Sequence, residues 1–244
     1  MRNMKQKSLN RIIGGIALLI ILFAFHTVKA QSKLIAIDVL LDPDQTMLDS
    51  AKFYNNLMQK NYSGPGSFEL DAIHKPHITV LQRFVPTADL EKVYAAFAKV
   101  VKSEKPETEK LTANGFYYIP VSGLGLAGIT AKPTPKLLSF QSKIIEVLKP
   151  FMETGTNAAF VQNADGKDIV VGTSEYVNAF VPDHSGAKYN PHVTIGLAHE
   201  AFLKELLAKP FNTFSFKSAS VSIYQLGDFG TAQKKLWTSE KERH

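Results

Sequence analysis

Residues 76–79 read Pro-His-Ile-Thr, and residues 191–194 read Pro-His-Val-Thr, 115 positions further on. The wider windows, KPHITVLQRF (75–84) and NPHVTIGLAH (190–199), keep the same order of proline, histidine, aliphatic residue, threonine and aliphatic residue. In an extended strand, side chains at i and i+2 share a face and i+1 points the other way. His77 and Thr79 therefore share one face, with Ile78 and Val80 behind them; His192 and Thr194 pair likewise, with Val193 and Ile195 behind. The aliphatic pairs anchor each strand in a core. Four polar side chains buried without partners would be costly, so a groove shared by both strands is the cheaper arrangement. The chain is thus expected to have two halves of similar build.

The surrounding pattern sets the fold class. KLIAIDVLL (33–41) reads as a strand with Asp38 inside it. A helix follows, opened by Pro43, with Met47, Ala51, Tyr54, Leu57 and Met58 as its apolar stripe. YSGPGSFELDA (62–72) is turn chemistry. After the first motif strand, Thr87 caps a helix running to about residue 102 whose inward residues are Leu90, Val93, Tyr94, Phe97 and Val101. LTANGFYYIP and LAGITAKP form a hairpin across VSGLG. Residues 134–152 make a third helix, and 153–190 read as loop with one short strand near IVVGT. The second motif strand, a short helix over 200–208 and two closing strands complete the order. This is an α+β chain: antiparallel sheets flanking a groove, helices outside, one domain of two lobes over residues 31–244.

The first thirty residues stand apart. MRNMKQKSLNR carries basic residues and no acid, residues 12–25 are an apolar run, and Val28 and Ala30 sit where small residues precede a cut. The pattern is that of a secretory signal cleaved after Ala30; the alternative is an uncleaved anchor, although a spanning helix needs roughly 20 apolar residues. A periplasmic or secreted location follows, with membrane contact only if the leader stays attached. The leader also accounts for most of the net charge. Of 28 basic residues, Arg2, Lys5, Lys7, Arg11 and Lys29 lie within it, leaving 23 against 22 acids. So near-neutral a body carries no duplex nucleic-acid footprint. The absence of cysteine excludes disulfides, thiolate metal sites and a thiol nucleophile.

Two imidazoles and two hydroxyls suit phosphoryl chemistry. With an unperturbed pKa of about 6.5, one ring can be neutral while its twin is charged. The neutral ring takes a proton from water and the charged one protonates a departing oxygen. The threonines can donate to non-bridging phosphoryl oxygens. Metal binding is a thin rival: two histidines fall short of the usual ligand set, and His74 and His77 at i and i+3 in a strand face opposite sides.

These two motifs, His77-Ile78-Thr79-Val80 and His192-Val193-Thr194-Ile195, resemble those of the 2H phosphoesterase superfamily, which carries one HhTh or HhSh motif per lobe. The resemblance covers most of residues 33–238. It implies a bilobal, pseudo-symmetric α+β fold with the four motif residues lining a central groove. It also implies metal-independent, cofactor-free opening of 2′,3′-cyclic phosphates or cleavage of 2′,5′ linkages, with ligation as the reverse reaction. Small cyclic nucleotides or short oligonucleotides are the expected partners, and a monomer the expected state. A nucleotide-binding protein of the same fold without turnover is the alternative. Arg83, on the face of His77 if the strand runs on, is a candidate phosphate contact. Tyr189, Tyr118 and Tyr224, with Phe116 and Tyr117, are candidates for stacking a base.

Overall fold

The computed structural model describes residues 33–239. The expected leader, with its cut after Ala30, lies outside them. Among the described residues, no helix is long and apolar enough to cross a membrane.

Among the described residues, seven strands form one antiparallel array. They are β1 (Leu34–Pro43), β2 (Ile78–Pro86), β3 (Lys110–Val121), β4 (Leu124–Ala131), β5 (His192–His199), β6 (Phe214–Leu226) and β7 (Ala232–Thr238). Their order is β2-β1-β6-β3-β4-β5, with β7 beside β6. The two sheets expected from the sequence are therefore two wings sharing a strand. The first residues of β6, Phe214 to Lys217, pair with β3, while Ser218 to Gln225 pair with β1. The hairpin between β3 and β4 turns on Ser122 and Gly123, at φ 51° and 82°, the positive-φ pair that a two-residue loop requires.

Among the described residues, five α-helices accompany the strands: α1 (Gln45–Asn61), α2 (Leu90–Glu104), α3 (Pro135–Leu148), α4 (Thr173–His184) and α5 (Glu200–Leu207). Pro43 does not open α1. It ends β1, and the Asp44 side chain accepts from the Met47 amide as the N-cap. Nor does Thr87 cap α2; it begins a 3₁₀ turn, and its hydroxyl donates to the Lys33 carbonyl at 2.8 Å. The buried stripe of α1 is Met47, Ala51, Asn55 and Met58 rather than one containing Leu57. Asn55 ties the helix down by donating to the Ile195 carbonyl of β5 at 3.0 Å.

One apolar cluster runs beneath both wings. It includes Ile37, Val39 and Leu41 of β1, Ile129 of β4, Val193 and Ile195 of β5, and Phe97 and Phe140 from α2 and α3. Each such side chain contributes about 1.5–3 kcal/mol on burial, so the backs of both motif strands are strongly fixed.

The segment 153–190 is where the sequence reading fails. IVVGT forms no strand; Gly172, at φ 95°, is instead the N-cap of α4. That helix has 12 residues, contains Pro182, and buries only Thr173, Ser174, Val177 and Phe180. So sparse an apolar face, interrupted by a proline, carries little helical period.

Candidate active site

The two histidines are held by the same local device. His77 Nδ1 lies 2.7 Å from the Lys75 carbonyl, and His192 Nδ1 lies 2.7 Å from the Asn190 carbonyl. In each case the carbonyl belongs to the residue before proline, which proline holds extended. A carbonyl only accepts, so Nδ1 carries the proton in both rings. The neutral form of each ring then has its lone pair on Nε2. Strand alternation runs as expected: Ile78, Val80, Val193 and Ile195 are buried, and His77, Thr79, His192 and Thr194 all line one cavity of about 600 Å³.

Beneath the first motif lies a carboxylate to which the sequence reading gave no role. Asp38, fully buried on β1, accepts on Oδ2 from Thr79 Oγ1 at 2.9 Å and from Gln82 Nε2 at 3.0 Å. The same oxygen stands 3.5 Å from His77 Nε2. The other carboxylate oxygen, Oδ1, has no hydrogen-bond partner. Further along the same face of β1, Asp42 accepts from Ser220 and Ser222, each at 2.6 Å, and lies 2.8 Å from Lys75 Nζ.

These surroundings drive the two rings apart. Burial works to lower the His77 pKa, but the hydrogen bond and charge of Asp38, the Lys75 carbonyl and the charge of Asp42 outweigh it and leave the value raised. His192 has no such carboxylate. Burial pushes it down to about 4, against its bond to Asn190, and the charges of His77 and His184 push the same way. The two values are thus driven apart, His77 above the ordinary imidazole value and His192 well below it.

The cavity floor is the β3-β4-β5 wing. Tyr117, Gly128 and Thr194 occupy one row of the ladder. The Tyr117 ring crosses Gly128 to meet His192, with ring centres 4.5 Å apart. A Cβ on Gly128 would fall 2.5 Å from the Tyr117 ring and 3.2 Å from the Val193 carbonyl. Gly128→Ala is thus expected to displace Tyr117 from His192 and to lower kcat/KM about tenfold for any reaction the cavity supports. Adding Tyr117→Ala removes the clash, so the two losses should not add; additive losses in that cycle would show that the glycine serves only the backbone.

The other tyrosines have different posts. Tyr118 points away from Tyr117, over Gly125 and onto the main core. Tyr189 is a buried part of the cavity wall, and its hydroxyl donates to the Thr79 carbonyl at 2.7 Å, joining the approach to the second motif to the strand of the first. Tyr224 is buried behind Lys75, whose Nζ donates to its hydroxyl at 3.2 Å. Arg83 does not line the cavity; its guanidinium donates to the Val177 and Asn178 carbonyls of α4.

His74 and His184 complete the wall. Residues 71–77 are not strand, so the opposite-face argument for His74 and His77 does not apply. His74 stacks on Phe68 at 4.6 Å, and the His184 ring lies 4.4 Å from Tyr176, tilted by 31°. Burial lowers the His184 pKa. Of the five histidines among the described residues, four therefore line this cavity. No group of three or more His, Cys, Asp or Glu side chains that could hold a metal occurs among the described residues.

The sequence matches no family model and no curated protein. Among solved structures, the chain is similar to the crystal structure of TT0787 of Thermus thermophilus, with 12% identity and a TM-score of 0.46 over 84% of this chain and 96% of that one. It is also similar to Usb1 of Kluyveromyces marxianus, with 10% identity and a TM-score of 0.35 over 83% and 98% of the two chains.

Proposed function

We propose that the protein is a phosphodiesterase of the 2H kind, opening 2′,3′-cyclic phosphates or cleaving 2′,5′-linked nucleotides with two histidines and no metal. The observation that carries this reading is that two motifs 115 positions apart line one cavity with both rings hooked alike through Nδ1. Such a pairing suits in-line displacement at phosphorus, where one group removes a proton as another supplies one.

The roles follow from the electrostatics. His192, kept neutral, takes the proton of the attacking water on Nε2. The water oxygen bonds to phosphorus as the ester oxygen leaves. His77, whose pKa is raised, is the ring that gives its Nε2 proton to that oxygen. Thr79 already donates to Asp38 and so holds the carboxylate against His77. Thr194, on the facing strand, is the hydroxyl that donates to a non-bridging phosphoryl oxygen. After one turnover His192 is protonated and His77 neutral, and exchange with solvent restores both.

The test is direct. The purified protein is incubated with adenosine 2′,3′-cyclic monophosphate in EDTA. Release of a phosphomonoester is expected, and its loss in both His77→Ala and His192→Ala. Tight binding with no product in the unsubstituted protein would favour a nucleotide-binding role and sink the enzymatic reading.

A further inference from the structure

We infer that the cavity selects a phosphodiester with a single negative charge and an apolar, ring-bearing body, that it disfavours ligands with a second phosphate, and that Phe229 grips the body. This rests on the phosphodiesterase reading and narrows its substrate class.

The charges on the wall are already matched. Lys75 is the sole lysine or arginine lining the cavity among the described residues, and its ammonium lies 2.8 Å from buried Asp42. His77 Nε2 stands 3.5 Å from buried Asp38. His74 lies 3.3 Å from Asp71. The guanidinium nearest the first motif in sequence, that of Arg83, is turned to α4. Binders of polyanionic chains neutralise several phosphates with lysine and arginine, and no surplus of such cations faces this cavity. One phosphoryl group can be met by the motif donors. A second would enter a cavity whose positive groups already have carboxylate partners.

The mouth, by contrast, is apolar and held in place. Phe229 is 69% exposed and Val171 is 93% exposed, and both line the cavity. Phe229 sits at φ 54°, ψ 20°, a left-handed conformation that bulky residues rarely adopt. Asp228 enforces it. Its Oδ1 accepts from the Phe229 amide at 2.9 Å and from the Val170 amide at 2.9 Å, while Oδ2 accepts from Asn163 at 3.2 Å. A single carboxylate thus fixes both parts of the lip, the turn at 228–230 and the segment at 170–172. An exposed aromatic ring fixed in a strained backbone at a cavity mouth is what a stacking contact needs, and it gains the core nothing. Tyr117 and Tyr176 continue the aromatic lining inward.

The test separates binding from turnover. In His192→Gln, calorimetry compares adenosine 2′,3′-cyclic monophosphate with the same compound carrying an added 5′-phosphate. The single-phosphate ligand should bind at least about tenfold tighter, and its Kd should change less than about threefold between roughly 0.05 and 0.5 M NaCl. Phe229→Gly, made in the same background, relieves the left-handed strain, so the melting temperature should hold or rise. Affinity for the cyclic ligand should nevertheless fall about tenfold through the lost stacking. Tighter binding of the 5′-phosphorylated ligand, no binding of either, or an unchanged Kd in Phe229→Gly would overturn the inference. Turnover of both ligands by the unsubstituted protein without this discrimination leaves the phosphodiesterase reading standing alone. Discrimination in binding without any turnover leaves the inference and removes that reading.

Discussion

Replacing His192 by alanine is expected to slow the opening of a nucleoside 2′,3′-cyclic phosphate by about 10²–10⁴-fold near neutral pH, the range that a positioned acid or base supplies. His77→Ala should cost a similar factor, but the two variants should fail differently across pH. In the unsubstituted protein kcat/KM should rise with pH through about 4, where His192 loses its proton and becomes able to accept one. It should fall again above pH 6.5, where His77, whose value is raised, gives up the proton that the leaving oxygen needs. The plateau between these limbs is the region in which both rings hold the required state. His192→Ala should remove the acid-side limb from the residual activity, and His77→Ala the alkaline-side limb. His192→Ala removes one bond to a neighbouring carbonyl, whereas His77→Ala also takes the imidazole from beside buried Asp38, so melting curves check that both variants fold. A residual profile that keeps both limbs in both variants would mean that other groups carry the protons.

How much of this was legible in the sequence depends on whether a feature is local. The alternation in Pro-His-Ile-Thr and Pro-His-Val-Thr fixed which side chains face together, because a strand has a period of two and the aliphatic partners had to be buried. Most helices and strands followed from equally local signals. Partner choice did not. Arg83 lies on β2, the strand that follows directly on His77, but α4 offers it bare carbonyls, and α4 was itself hidden by its thin apolar face and Pro182. Tyr117 and Tyr118 are adjacent and chemically identical. What separates them is the face of β3 that each takes: Tyr117 crosses Gly128 on the cavity side, and Tyr118 crosses Gly125 on the core side. Phe229 gave no signal beyond a glycine-flanked turn. Asp38 did give one. A charged residue in the middle of a strand as apolar as LIAIDVLL is seldom buried unless paired, and Asp42, four residues on, shares its face. That spacing could have pointed to a charged layer beneath the first motif.

Asp38 is where the second large effect is expected. Asp38→Asn keeps the shape of the side chain and an acceptor for Thr79 and Gln82, but removes the charge beside His77. Burial then acts on His77 without its main counterweight, and its pKa should fall. The alkaline limb of the pH–rate profile should move to lower pH by the same amount, while the limb near pH 4, which belongs to His192, stays in place. A residue that merely supported the strand would lower activity equally at every pH. Stability supplies an independent readout whose sign is fixed. Because the His77 pKa is raised on folding, its contribution is fully present below about pH 6.5 and is lost as pH rises through the raised value. Asp38→Asn should therefore destabilise the protein more at roughly pH 6 than at roughly pH 9. The carboxylate itself is costly to keep, fully buried with Oδ1 unpartnered. A protonated imidazole beside it lowers that cost, and in the proposed mechanism His77 is that imidazole and the proton donor. Denaturation curves for the two proteins that run parallel across this interval would show that no charge on His77 is being held by Asp38.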